Sequence, residues 1–218
     1  MRVGELFEPD HSIAWPYLSR FTWPWEALPG VGRFVAELGA TLDDSEYERR
    51  GPDVWIHKTA SVAASAYIGH GVIICAGAEV RHCAYIREAT VVGAGAVVGN
   101  STELKNAILF DSAQVPHFNY IGDSVLGHKS HMGAGAIASN VRLDHTNISV
   151  TCSGARFSTG IRKFGVILGD RAEVGCNAVA GPGCVIGRGA LVYPLSFVRG
   201  FVPANCIYKK QGEIVSKL

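Results

Sequence analysis

The sequence predicts an all-β solenoid, a stack of short strands wound around an apolar interior. Three observations predict it. Every sixth residue from Ile56 to Leu104 is aliphatic: Ile56, Val62, Ile68, Ile74, Val80, Ile86, Val92, Val98 and Leu104. A second series of the same period runs Leu168, Val174, Ala180, Ile186, Val192 and Val198. Glycine is abundant, at 26 residues, and repeatedly follows these positions, as at Gly69, Gly93, Gly99, Gly169, Gly175 and Gly187. Neither a helix, with about 3.6 residues per turn, nor an ordinary strand, with period 2, demands a spacing of six. A coil of short strands with one inward residue per six-residue unit does. Such a coil turns every few residues, and glycine supplies positive φ or tight backbone there at low steric cost.

The elements follow in order. Residues 1–52 carry no repeat. Trp15, Phe21, Trp23, Trp25, Leu28, Phe34, Val35 and Leu38 crowd this segment, with Pro16, Pro24 and Pro29 between them. We expect short helical turns, Gly32 to Leu38 among them, that cap one end of the solenoid, because such an end exposes an apolar cross-section. An aromatic ligand site is the alternative for this segment. The polar run Asp43 to Arg50 reads as a linker. Residues 53–205 read as the solenoid. Its first block, 54–110, holds nine hexads, or three coils if three hexads make a turn. The phase slips between Leu104 and Leu126 and resumes as Leu126, Met132, Ala138. Residues 140–165 break the repeat and read as an excursion, with the alternation of Ile148, Val150 and Cys152 pointing to a hairpin. Loops that leave a rigid stack are where binding groups gather. A second block, 166–200, supplies two more coils, and 206–218 is a tail with Lys209, Lys210 and Lys217.

Composition narrows the functional classes. The 218 residues suit one sizeable domain with an extension. The net charge of +1 gives no electrostatic footprint for nucleic acid or a membrane surface. The opening MRVGELFEPD lacks a hydrophobic signal core and no apolar run reaches spanning length, so a cytoplasmic location is expected. The six cysteines form no CxxC pair and read as free thiols.

The hexads resemble the hexapeptide-repeat transferases, whose fold is a left-handed parallel β-helix. That handedness comes from the resemblance, since parallel crossovers are ordinarily right-handed. The stretches GNSTELKNAIL (99–109), VPHFNYIGDSVLG (115–127), HMGAGAIASN (131–140) and KFGVILGD (163–170) narrow the match. They look like the acetyltransferase half of the bifunctional N-acetylglucosamine-1-phosphate uridyltransferase/glucosamine-1-phosphate N-acetyltransferases of UDP-N-acetylglucosamine biosynthesis. The archaeal-type sugar-1-phosphate nucleotidylyltransferases with such a C-terminal half show the same resemblance. The resemblance covers roughly residues 55–210. Residues 1–50 show no Gly-rich pyrophosphorylase loop and are too few for a nucleotide-binding domain, which argues against uridylyl transfer by this chain.

Acetylating an amino sugar needs a base for the amine proton, cations for the sugar phosphate, donors for the thioester oxyanion, and a slot for acetyl-CoA as the donor substrate. The resemblance implies a residue for each. His117 matches the family's general base, a role that suits a side chain titrating near neutrality. Arg87 and Lys105 match its phosphate-binding pair. They lie 18 residues apart, one coil, each just after an inward aliphatic and so facing outward. An Arg fork with a Lys point charge is a sensible phosphate clamp. Tyr120 matches a sugar-phosphate contact, Asn140 a residue near the reacting nitrogen, and Lys163 a further phosphate or sugar contact. Ala134 and Cys176 match the coenzyme groove, with Lys209 or Lys210 for the coenzyme's phosphates, and backbone amides there polarise the thioester oxygen. The chain departs from the bacterial pattern. His131 replaces a substrate-contacting Asn, Val141 an aromatic residue and Cys176 a Ser, and the 140–165 loop is longer. Glucosamine-1-phosphate and galactosamine-1-phosphate both stay open as acceptors.

The family also implies a homotrimer with sites between subunits, small-molecule partners and no metal in acetyl transfer. Two other classes compete. His82, His117, His128 and His131 could serve a metal enzyme resembling the γ-type carbonic anhydrases. A non-catalytic solenoid could scaffold a partner nucleotidylyltransferase.

Overall fold

A computed structural model describes residues 1–217 as a three-sided parallel β-solenoid with a helical segment laid along one side. Face A stacks Val54–Ile56, Val72–Ile74, the segments ending at Val92, Leu109 and Leu126, then 166–168, 184–186 and 201–202. Face B stacks Ser61–Val62, Glu79–Val80, Val97–Asn100, Gln114–His117, His131–Met132, Glu173–Val174, Leu191–Val192 and Cys206–Lys210. Face C stacks the starts of Tyr67–Ile74, Tyr85–Val92, Glu103–Leu109 and Tyr120–Leu126, then Ile137–Ala138, Val179–Ala180 and Phe197–Val198.

The hexad aliphatics face the interior. Ile74, Val80, Ile86, Val92, Val98, Leu104, Leu168, Val174, Ala180, Ile186, Val192 and Val198 form one continuous buried core. Each fully buried aliphatic stabilises by roughly 1.5–3 kcal/mol, and coils add these terms neighbour by neighbour. The phase slip has a simple cause. Two corners are one residue short, so Leu104 is followed inward by Leu109 and Ile121 by Leu126, with Val115 between.

The glycines after the aliphatics are there for close approach. A Cβ on Gly99 would stand 1.6 Å from the Pro116 carbonyl oxygen, and one on Gly69 1.7 Å from that of Arg87. The left-handed residues lie further on, in the corners, at Asn106, Phe118 and Asp123 among others.

The N-terminal segment does not cap an end. It comprises α1 (Val3–Leu6), α2 (Trp15–Leu18), a 3-10 helix (Pro24–Gly30) and α3 (Val31–Gly39). Val3, Leu6, Phe7, Leu18, Trp25, Leu28, Val31 and Val35 pack on Ile73, Val91, Ile108, Val125, Ile167 and Val185. Those are the outward residues of face A, each just before a hexad aliphatic. Face A is thus apolar on both sides, as a doubly covered parallel sheet requires. The sheet edges are covered by other pieces. Tyr47–Arg49, within the expected linker, pairs antiparallel with Val54–His57. Residues 206–210, expected as tail, form the last rung of face B, and Glu213–Ser216 pairs antiparallel with it. The excursion carries an antiparallel hairpin, Ser149–Cys152 with Ala155–Ser158. Trp23 lies against its Phe157, with ring centroids 5.4 Å apart.

Candidate functional site

Most of the predicted residues fall at or beside two corners that flank face C. At the B/C corner, His82, Asn100, His117, Ala134 and Cys176 occupy the same place in successive coils. One backbone N–H per coil links them: Ser101 donates to the His82 carbonyl, Phe118 to Asn100, Gly135 to His117, Asn177 to Ala134 and Leu195 to Cys176. His117 therefore stands one coil from Ala134, with Cys176 beyond. Its side chain is exposed, and its backbone N–H donates to Asn119 Oδ1 at 3.1 Å. The buried Asn119 amide donates in turn to the carbonyls of Gly133, at 2.8 Å, and Ala136, at 3.1 Å. These bonds fix the turn from which His117 projects. Cys176 is exposed as well.

The C/A corner is denser. Arg87 and Lys105 lie on adjacent coils, each with carboxylate partners. Arg87 Nη1 meets Glu103 Oε1 at 3.1 Å, and this bond raises the guanidinium's affinity for its proton. Lys105 Nζ lies 3.6 Å from Asp123 Oδ1 and 3.9 Å from Glu88 Oε1. Tyr120 lies on face C, its phenol titrating above its ordinary range through burial first and then the charges of Glu103 and Asp123. Asp123, with a side chain 5% exposed, accepts from Asn106 Nδ2 at 2.8 Å and from Asn140 Nδ2 at 2.5 Å. Lys163 sits next to this group, in an isolated bridge with Val141. A cavity of about 520 Å³ opens here, with Asn106 and Asp123 on the corner side, Leu28 and Pro29 of the N-terminal segment opposite, and Arg162 and Lys163 of the excursion at its margin.

The structure thus brings Arg87, Lys105, Tyr120, Asn140 and Lys163 together, and His117, Ala134 and Cys176 together. It separates the two groups by the width of face C. The six residue-to-residue steps from His117 to Asp123 span at most roughly 20 Å of extended chain. His131 lies apart, outward on face B between Gln114 and Glu173. Lys209 and Lys210 end the last face B rung, with Nζ atoms 3.5 and 3.4 Å from Glu213 carboxylate oxygens.

Sequence reasoning missed Asn106, Asp123, Glu103 and the Leu28–Pro29 wall. A signal existed for two of them. Asn106, Asp123 and Asn140 recur every 17 residues, the length of the shortened coil, and so mark one polar column. The four histidines weighed for a metal do not converge. His82 and His117 are two coils apart, His131 is on face B, and His128 stacks on His11 with ring centroids 3.9 Å apart. Among the described residues, no group of three or more His, Cys, Asp or Glu is placed to hold a metal ion. None of the described helices is long and apolar enough to cross a membrane.

Comparison with known proteins bears on the same stretch. The GMPPB C-terminal domain family matches residues 71–161, a range that contains Arg87, Lys105, His117, Tyr120, His131, Ala134 and Asn140. A bifunctional sugar-1-phosphate nucleotidylyltransferase/acetyltransferase of Sulfurisphaera tokodaii is 36% identical over 96 residues, 44% of this chain and 24% of that protein. The bifunctional protein GlmU of Methanococcus maripaludis is 31% identical over 120 residues, 55% of this chain and 29% of that protein. The chain therefore spans about a quarter to a third of the length of these curated relatives. Among solved structures, a perosamine N-acetyltransferase mutant from Caulobacter crescentus, in complex with CoA and GDP-perosamine, is 20% identical with a TM-score of 0.33, covering 82% of this chain and 61% of that one. Over this stretch the chain is similar in sequence to part of the bifunctional sugar-1-phosphate nucleotidylyltransferase/acetyltransferases.

Proposed function

We propose that the protein transfers an acetyl group from acetyl-CoA to the amine of a hexosamine 1-phosphate, glucosamine-1-phosphate or galactosamine-1-phosphate. One observation carries the reading. An exposed histidine shares a backbone-linked column with Ala134 and Cys176, while a Lys, an Arg, a Tyr and an Asn gather across face C. The acyl donor lies along the B/C column. His117 takes the proton as the acceptor nitrogen attacks the thioester carbonyl, the C–N bond forms, the C–S bond breaks, and the CoA sulfur leaves with a proton. Backbone N–H groups of the column stabilise the oxyanion. Lys105 and Arg87 hold the phosphate, helped by Lys163, and Tyr120 and Asn140 orient the sugar. Lys209 and Lys210 meet the coenzyme's phosphates.

The separation of the corners supports a homotrimer. Face C presents apolar side chains outward, with Tyr67 60%, Tyr85 44%, Ile137 38% and Phe197 52% exposed. A second copy covering this face brings His117 of one subunit toward the cations of its neighbour.

The test is release of CoA thiol from acetyl-CoA with each sugar phosphate and with no sugar, corrected for the protein's own six cysteines. Sugar-dependent release supports the reading and ranks the acceptors. Acetyl-CoA binding without release points to another amine acceptor. Absence of both turns the assignment toward a non-catalytic scaffold.

A further inference from the structure

Asp123 is the most connected group of the C/A corner, and the reading above gives it no role. Its carboxylate is nearly inaccessible, at 5% exposure, yet it borders the cavity. One oxygen accepts from Asn106 Nδ2 and lies 3.6 Å from Lys105 Nζ; the other accepts from Asn140 Nδ2. Asn106 Nδ2 also reaches the Leu28 carbonyl oxygen at 3.2 Å, which ties the column to the N-terminal segment. Asp123 holds its corner with φ 49°, and its carbonyl accepts from Gly165 N–H where the excursion returns to the coil.

A carboxylate only accepts hydrogen bonds. Facing one, Asn140 must turn its NH₂ toward Asp123, and its Oδ1 must point the other way. We propose that Asp123 is a positioning residue: it fixes the polarity of the Asn140 amide, so that a carbonyl oxygen meets the N–H of the acceptor, and it holds Lys105 where the acceptor's phosphate binds. This rests on the acetyltransferase reading. Asp123 itself touches no reacting atom.

Polarity can be reversed without changing shape. In Asp123→Asn, the new side chain keeps one oxygen for Asn106 and Lys105 and turns NH₂ toward Asn140. Two donors then face each other, Asn140 flips, and NH₂ replaces the carbonyl toward the acceptor. In the double variant Asp123→Asn/Asn140→Asp, the amide now at position 123 donates to the carboxylate now at position 140. The second oxygen of that carboxylate again offers an acceptor outward. The swap keeps the pair's charge and reverses the direction of its hydrogen bond.

Steady-state rates and thermal unfolding of wild type, Asp123→Asn and the swap decide it. We expect Asp123→Asn to lose about a hundredfold in kcat/KM for the sugar phosphate, with the KM for acetyl-CoA unchanged, because misplacing a positioned group costs on this order. The swap should recover at least about tenfold of that loss, the size of one well-made hydrogen bond to a charged group. Wild-type kcat/KM in Asp123→Asn overturns the inference. So does a folded swap that recovers nothing, or a swap that restores the melting temperature without the rate, since a purely structural role accounts for both. Should neither variant fold, the role is structural and the inference fails. Wild-type protein that releases no CoA thiol counts against the acetyltransferase reading instead. Asp123 is then read by calorimetry of glucosamine-1-phosphate, where Asp123→Asn must weaken binding and the swap restore it; equal binding, or none to wild type, overturns the inference.

Discussion

The two corners beside face C are built in opposite ways. The B/C corner is a ladder of backbone bonds, one per coil, from which His117 projects with its side chain exposed. The C/A corner is a knot of side chains, in which Lys105, Asn106 and Asn140 converge on one buried carboxylate. Where backbone satisfies itself, a side chain is left free to react. Where side chains satisfy one another, each is held in a set orientation, as binding a rigid polar ligand requires.

The sharpest way to break this contrast is at His117. His117→Ala should lower kcat by about 10²–10⁴, the range for a lost general base, with an unchanged melting temperature because the side chain is exposed. Wild-type turnover in that variant removes the B/C corner from the chemistry. Face A supplies the next test. Ile108, fully buried between solenoid and helices, should cost about 2–5 kcal/mol of unfolding free energy when changed to Ala, measured by denaturant titration. Ile137, exposed on face C, should cost far less in an isolated subunit. A matching large loss at Ile137, together with a smaller sedimenting species, would show that a second copy covers face C.

At the C/A corner, Lys105→Ala should raise the KM for the sugar phosphate about tenfold and leave the KM for acetyl-CoA alone, since one charge-assisted contact of about 1.5–3 kcal/mol is lost. Equal effects on both substrates would merge the corners into one site.

The smallest effect lies at the remaining corner, between faces A and B. His128 stacks on His11 under the N-terminal segment, and burial lowers its affinity for a proton. The unfolded chain binds that proton more readily, so stability falls as pH drops below the unfolded value near 6.5. Burial raises the pKa values of Asp111 and Asp170 nearby, which works the other way in the more acid carboxyl range. The melting temperature should therefore decline between about pH 7.5 and 5.5, and His128→Asn should flatten that decline. An equal slope in the variant assigns the pH dependence to other groups.

Much of this was legible in the chain. The six-residue period marks the inward residues because only one side of each short strand can face the coil interior. The same string also holds the cover of face A. Trp55, Ile73, Val91, Ile108, Val125, Ile167 and Val185 all precede an inward residue, and an apolar outward row implies a partner along the side. Face C carries Tyr67, Tyr85 and Tyr120 at that position, and face B carries Glu79, Gln114 and Glu173.

The amino-acid order thus dictates the coil, its break at 140–165 and the outward placement of Arg87, Lys105 and His117, because a repeat sets which side of the chain each residue faces. Three features are decided only on folding: that the N-terminal helices are what covers face A, that Lys105, Asn106 and Asn140 meet on the Asp123 carboxylate, and that His117 stands a face away from the cations. Corner lengths set how successive coils align, and a shift of one residue changes every lateral neighbour without altering the inward pattern.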